Sequence, residues 1–243
     1  MKKKKTIIIS IILLAVILVL ICLTVAKDKA YKKTDAYRFK QEYEELNKTK
    51  SKSNSTYQEL NIPKKNPIKY INVKEALSII KNDSGIIYFG APWCPWCRNA
   101  VPVLLDAAID KKVDTIYYLN MDKVRNTYEV RNGKLVKTQK EQDGYYELLE
   151  LLKPVLQQET YKVTDENNKS YDTKELRIYM PFIISVENGK IKETHEDTVK
   201  LNDNQTAYDA LTKKQYKELY NIYVKLIDSI QTSSSCKVDS KCS

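Results

Sequence analysis

Apolar positions along this chain fall into blocks of three kinds, and each kind predicts a different element. Residues 7–26 are apolar apart from Ser10 and Thr24. Twenty residues of helix span about 30 Å, the hydrocarbon thickness of a bilayer, so this block predicts a transmembrane helix. Its length favours a retained anchor over a cleaved signal peptide, for which Thr24-Val25-Ala26 would be a weak processing site. Cys22 inside it reads as a buried apolar filler.

The second kind is the short run of strand-forming residues, found at 68–71, 86–89, 115–121 and 182–186, with a more polar edge strand at 190–194. The third kind repeats every three to four residues. It comprises Val73, Ala76, Leu77 and Ile80 behind an N-capping Asn72, then 101–108, and then Leu148, Leu149, Leu152, Val155 and Leu156. A last helix behind Thr212 carries Tyr216, Leu219, Ile222, Tyr223, Leu226 and Ile230. Strand, helix, strand, helix, strand in that order predicts an α/β domain with right-handed parallel crossovers.

Between anchor and domain the pattern thins. Residues 27–67 are polar, with Tyr31, Phe39, Tyr43 and Leu46 enough only for a weakly amphipathic helix and 51–56 reading as a Ser-rich linker. The expected organisation is a basic cytoplasmic tail at 1–6, the anchor at 7–26, a stalk at 27–67, one domain at 68–231 and a flexible tail at 232–243.

Composition adds orientation and excludes a class. The chain has 243 residues, enough for one substantial core, and carries +10, of which Lys2 to Lys5 supply four. The other lysines are interleaved with glutamates and no arginine-rich stripe occurs, so nucleic acid is not an expected partner. Lysines at the amino terminus place it in the cytoplasm, although Lys27, Lys29, Lys32, Lys33, Arg38 and Lys40 crowd the far side. Long domains translocate largely regardless of such charges, which predicts a single-pass protein of the cell membrane with its domain outside the cytoplasm. An oxidising compartment also suits the four cysteines outside the apolar block.

The chemistry sits at Trp93-Cys94-Pro95-Trp96-Cys97, where a strand turns into a helix. Unpaired N–H groups and the positive end of the helix dipole favour a thiolate at Cys94. Cys97, one helical turn on, is placed to attack a mixed disulfide formed at Cys94, and Pro95 suits the first helical position. A bare CxxC is also half a zinc site. Here no second CxxC follows, the one histidine is His195, and the other cysteines are Cys22, Cys236 and Cys242, so no metal site is expected.

These residues, with Pro102, Met180-Pro181-Phe182 and Asn188-Gly189, resemble the thioredoxin superfamily. Its members kink the active-site helix with a proline eight residues after the first cysteine, begin the next core strand with a cis-proline facing the cysteines, and turn at Asn-Gly seven and eight residues beyond it. Pro102, Pro181, Asn188 and Gly189 stand at those spacings. The resemblance implies a thioredoxin-like fold, with Cys94 as nucleophile, Cys97 as resolving thiol and Pro181 facing them. It also implies that Trp93, Pro95, Trp96 and Met180 border the substrate, with Met180 pairing its backbone to an extended peptide. No cofactor is implied. Partners would be protein thiols or disulfides and a membrane or thiol partner that resets the pair. The layout is similar to anchored thioredoxin-like proteins of Gram-positive bacteria, including those labelled bacteriocin-transport accessory proteins.

Departures from the pattern define the open questions. The buried carboxylate that thioredoxins carry six residues before the first cysteine is Tyr88 here. Cys94 and Pro181 are 87 positions apart, which leaves an enlarged insertion over about 124–174. Within it Asn132-Gly133 predicts a hairpin, and Pro154 should shorten the helix around Leu148. The insertion is either a substrate-contacting cap or an extension of the core. Cys236 and Cys242 in the tail form either an inert loop disulfide or a second redox pair exchanging with Cys94 and Cys97. His195 reads as a surface residue. A scaffold without catalysis, a thiol sensor and a metal carrier are the alternatives to an oxidoreductase.

Overall fold

The computed structural model describes the backbone of residues 2–157 and 160–235 and the side chains of 17–157 and 160–230. Two helices come first, α1 (Lys2–Tyr31) and α2 (Asp35–Glu44). Then β1 (Ile68–Tyr70), α3 (Val73–Asn82), β2 (Gly85–Gly90), α4 (Pro95–Asp110) and β3 (Ile116–Asn120) alternate as the pattern predicts. The insertion follows as β4 (Thr127–Arg131), β5 (Lys134–Gln139), α5 (Tyr145–Leu152), β6 (Thr160–Thr164) and β7 (Ser170–Leu176). Last come β8 (Phe182–Glu187), β9 (Lys190–Glu196) and α6 (Lys213–Ser235).

Five strands form the central sheet in the order β1-β3-β2-β8-β9. The first three are parallel, and β8 and β9 join antiparallel, with β9 at the edge. This mixed α/β arrangement follows from period-2 sorting of side chains across the sheet. Ile86, Tyr88, Ile116, Tyr118 and Ile183 point to one face and join α2, α4 and α6 in a core with Phe39, Leu104, Leu219 and Tyr223. Ile87, Phe89, Leu119, Phe182 and Ile184 point to the other and join α3 and α5 in a second core with Val73, Leu77, Leu148 and Leu152. Asn72 caps α3 through a reciprocal capping box with Glu75, as its position predicts. Asn188 and Gly189 adopt positive φ at the β8–β9 turn.

Three expectations change. Residues 27–67 are not a stalk along their whole length, because Phe39, Tyr43, Leu60 and Ile62 are buried in the first core. Phe39 packs edge-on against Tyr118 at 5.0 Å and beside Tyr43 at 4.5 Å, so two aromatics one turn apart commit α2 to the domain. The insertion holds a second hairpin, β6–β7, that its polar sequence did not reveal. Its helix α5 extends the second core, ending in a 3-10 turn at Lys153–Val155 where Pro154 stands. Finally, the serine run read as tail continues α6 as far as Ser235.

Helix α1 contains the predicted membrane block. Among its described side chains, Ile17, Leu18, Val19, Leu20, Ile21, Leu23 and Val25 stand about half exposed, and Cys22 is exposed rather than buried. Among the described residues no helix is long and apolar enough to cross a membrane. Side chains 7–16, half of the predicted span, lie outside that description.

Candidate functional site

Strand β2 delivers the dithiol to the carboxyl edge of the sheet, where α4 begins. Cys94 is the N-cap of α4, and its sulfur accepts the Cys97 N–H at 3.3 Å. Pro95 occupies the first turn, where its missing N–H leaves no donor unpaired. Both cysteines are free thiols, Cys94 5 % exposed and Cys97 fully buried. Pro102 lies within α4.

The Cys94 sulfur also lies 3.5 Å from the carbonyl oxygen of Met180, and the Met180–Pro181 peptide bond is cis. Trp96 and Met180 pack against the two cysteines. They line, with Gln157, Tyr179, Glu196 and Asp197, a cleft of about 310 Å³. Trp93 is 42 % exposed, its indole Nε1–H donating to Asp122 at 2.8 Å while its carbonyl accepts the Tyr57 hydroxyl at 2.8 Å. Cys94, Cys97, Trp93, Pro95, Trp96, Met180 and Pro181 thus lie together. Cys236 and Cys242 lie outside the described residues.

Electrostatics separate the two sulfurs. A hydrogen bond from Cys97 holds the Cys94 thiol below the usual cysteine range, and it outweighs the opposing effect of burial; the Cys97 N–H, the charge of Arg125 and the Trp96 N–H act in the same direction. Burial pushes the Cys97 thiol far up, and the neighbouring Cys94 adds to the rise, with Ala91 and the Tyr88 hydroxyl opposing. The pair can therefore hold one thiolate beside one thiol, which is the starting state for disulfide exchange.

Residues that the motif did not mark complete the surroundings. Tyr88 is fully buried and shares a 2.8 Å hydrogen bond with the Tyr43 hydroxyl. Its ring lies along the strand in space that a Cβ at position 90 would occupy, so Gly90 is needed there. Arg98, next to Cys97, is wholly buried without an acidic partner among the described residues. Its Nη1 donates to the carbonyls of Tyr43 at 2.7 Å and Pro92 at 3.4 Å, and its Nη2 to Asn47 Oδ1 at 2.7 Å and the Gln58 carbonyl at 2.8 Å. Arginine directly after the CxxC was the available signal, but nothing in the sequence says which carbonyls it meets. His195 is half-buried rather than a surface group; its Nε2 lies 3.0 Å from the Thr198 carbonyl and burial lowers its proton affinity.

No known family and no characterised protein matches the sequence. Among solved structures, thioredoxin O2 from Arabidopsis thaliana in its oxidized state is similar over 54 % of this chain and 83 % of that one, at 18 % identity and a TM-score of 0.29. So distant a likeness carries no weight here. What the chain's own fold and site define is a mixed α/β domain with a buried CxxC pair capping a helix opposite a cis-proline.

Proposed function

We propose that the protein is a thioredoxin-like thiol-disulfide oxidoreductase, held in the cell membrane by its N-terminal helix with the dithiol domain outside the cytoplasm. The observation that carries this reading is the pairing of a helix-capping Cys94, favoured as a thiolate, with a buried Cys97 thiol one turn along the same helix. In the reducing direction the Cys94 thiolate attacks one sulfur of a substrate disulfide. That S–S bond breaks, the departing sulfur leaves as a thiolate and takes up a proton, and Cys94 stays joined to the substrate. Cys97 then gives up its proton, attacks the Cys94 sulfur and releases the second substrate thiolate, so two electrons pass from the pair to the substrate. Run backwards, the Cys94–Cys97 disulfide oxidises a substrate dithiol.

Met180 and Pro181, with Trp93 and Trp96, would border an extended substrate segment beside the reactive sulfur. A membrane or thiol partner would reset the pair. The half-exposed apolar side chains of α1 support the anchor, because such a surface calls for a nonpolar covering. Membrane fractions should retain the full chain through alkaline extraction and lose it when residues 1–26 are removed. The catalytic reading is tested with the full chain in detergent, measuring reduction of insulin disulfides in the presence of dithiothreitol. We expect acceleration that disappears in Cys94→Ser; equal rates with and without the protein would contradict it.

A further inference from the structure

The insertion brings one charged side chain to the dithiol that no motif marks. Arg125, between β3 and β4, is 7 % exposed. Its Nη1 donates to the Ile178 carbonyl at 3.1 Å, three residues before Pro181, and its guanidinium carbon lies 5.9 Å from the centre of the Trp93 ring, the residue before Cys94. The side chain therefore bridges the two segments that flank the Cys94 sulfur.

Among the described residues this cation has no acidic partner within ion-pair distance. Its charged neighbour is another arginine, Arg177, whose Nη1 donates to the Asn126 carbonyl at 3.0 Å and whose guanidinium stacks 3.7 Å over the Tyr161 ring. Burial and then Arg177 push the Arg125 guanidinium down to about 10, so it is still charged at neutral pH. The groups that oppose this are Tyr145, Cys94 and Cys97. Burial raises Tyr145 and Cys97, which leaves Cys94 as the member of the three able to ionise near neutrality.

We infer that Arg125 is a positioning residue of the dithiol: braced between the Trp93 ring and the Ile178 carbonyl, its guanidinium adds a counter-charge that, beside the hydrogen bonds from Cys97, favours Cys94 as the attacking thiolate. The insertion then acts on the reaction through charge, without having to touch the substrate. Stabilising the thiolate stabilises the reduced pair, so Arg125 makes the disulfide a stronger oxidant. The role rests on Cys94 being the nucleophile.

The test follows thiolate absorbance at 240 nm against pH in the reduced full chain in detergent, with Cys94→Ser as the blank. Among the described residues Cys97, Tyr43, Tyr57 and Arg125 interact electrostatically with Cys94 and the carboxyl groups of Glu196 and Asp197 line the adjoining cleft; the tyrosines, raised by burial, stay neutral over the range used. Arg125→Gln should lower the thiolate fraction at pH values below the midpoint about tenfold, and Arg125→Lys should restore most of it. The exchange equilibrium with glutathione should move by up to about tenfold toward the disulfide, about 30 mV for a two-electron couple. An unmoved midpoint in folded Arg125→Gln would overturn the role. If that variant does not fold, the guanidinium 15N resonance of Arg125 in the wild-type chain serves instead. It should titrate with the Cys94 midpoint and stay flat in Cys94→Ser; a flat wild-type response would overturn the inference. Neither readout needs turnover, so a failed insulin assay with a shifted midpoint would count against the oxidoreductase reading alone.

Discussion

Two buried arginines stand beside the dithiol, Arg98 in α4 itself and Arg125 in the insertion, and they are put to opposite use. Arg98 turns its donors to four acceptors drawn from Tyr43, Asn47, Gln58 and Pro92, tying the N-terminal segment across the start of α4. Among the described residues the Arg125 side chain donates one hydrogen bond, to the Ile178 carbonyl, and its charge favours ionised Cys94. A guanidinium surrounded by carbonyls holds structure together, whereas one short of acceptors is available to an anion.

The largest effects lie in the N-terminal segment and the arginine that binds it. Phe39→Ala removes a fully buried ring from the first core and should cost about 3–5 kcal/mol in urea unfolding of the full chain. A true stalk would lose almost nothing. Arg98→Met strands the carbonyls of Tyr43 and Gln58, each stranded acceptor costing about 1–3 kcal/mol, so about 2–6 kcal/mol should disappear while the Cys94 midpoint stays in place. A midpoint shift matching that of Arg125→Gln would erase the distinction between the two arginines.

Smaller effects lie at Tyr88. Tyr88→Phe deletes the bond to Tyr43 and should cost about 1–2 kcal/mol. It also removes the hydroxyl that favours ionised Cys97, so a mixed disulfide at Cys94 should decay more slowly, read by quenched mass spectrometry. Unchanged decay would show Tyr88 to be packing alone.

The smallest effect is with pH. Cys94 is lowered, so its contribution to the stability of the reduced protein is complete above the ordinary cysteine value of about 8.5 and is lost as pH falls through its folded midpoint. Cys97 is raised, so its contribution is complete below that ordinary value and is lost only as pH rises through its own folded midpoint. Between the Cys94 midpoint and about 8.5, reduced-state stability should rise by at most about 1.4 kcal/mol per pH unit, and Cys94→Ala should remove the slope.

How much was legible depended on whether burial followed a period. The five sheet strands and α3 to α6 showed in the sequence because the strands are short runs of strand-forming residues and the helices repeat apolar positions every three to four residues. The docking of the segment around α2 did not, since Phe39 and Tyr43 are two aromatics in a polar stretch and much of the remaining attachment, such as Arg98 on the Tyr43 and Gln58 carbonyls, runs through backbone acceptors. Backbone acceptors have no sequence signature. Hairpin β6–β7 was hidden for a related reason: its strands bury little, and its turn is made by Asp165 accepting the N–H groups of Asn167 and Lys169. At the site, spacing exposed the cysteines and Pro181, while Arg125 belongs to a stretch with no periodic pattern to mark it.

The most direct test of the account is a redox titration of the full chain in detergent, poised in glutathione or dithiothreitol buffers, then alkylated and weighed. Peptide mapping should show a two-electron transition at Cys94 and Cys97, the two gaining or losing their alkyl groups together, and that transition should vanish in Cys94→Ser. Cys94 and Cys97 staying alkylatable across the whole range would contradict a redox dithiol and leave the domain a scaffold.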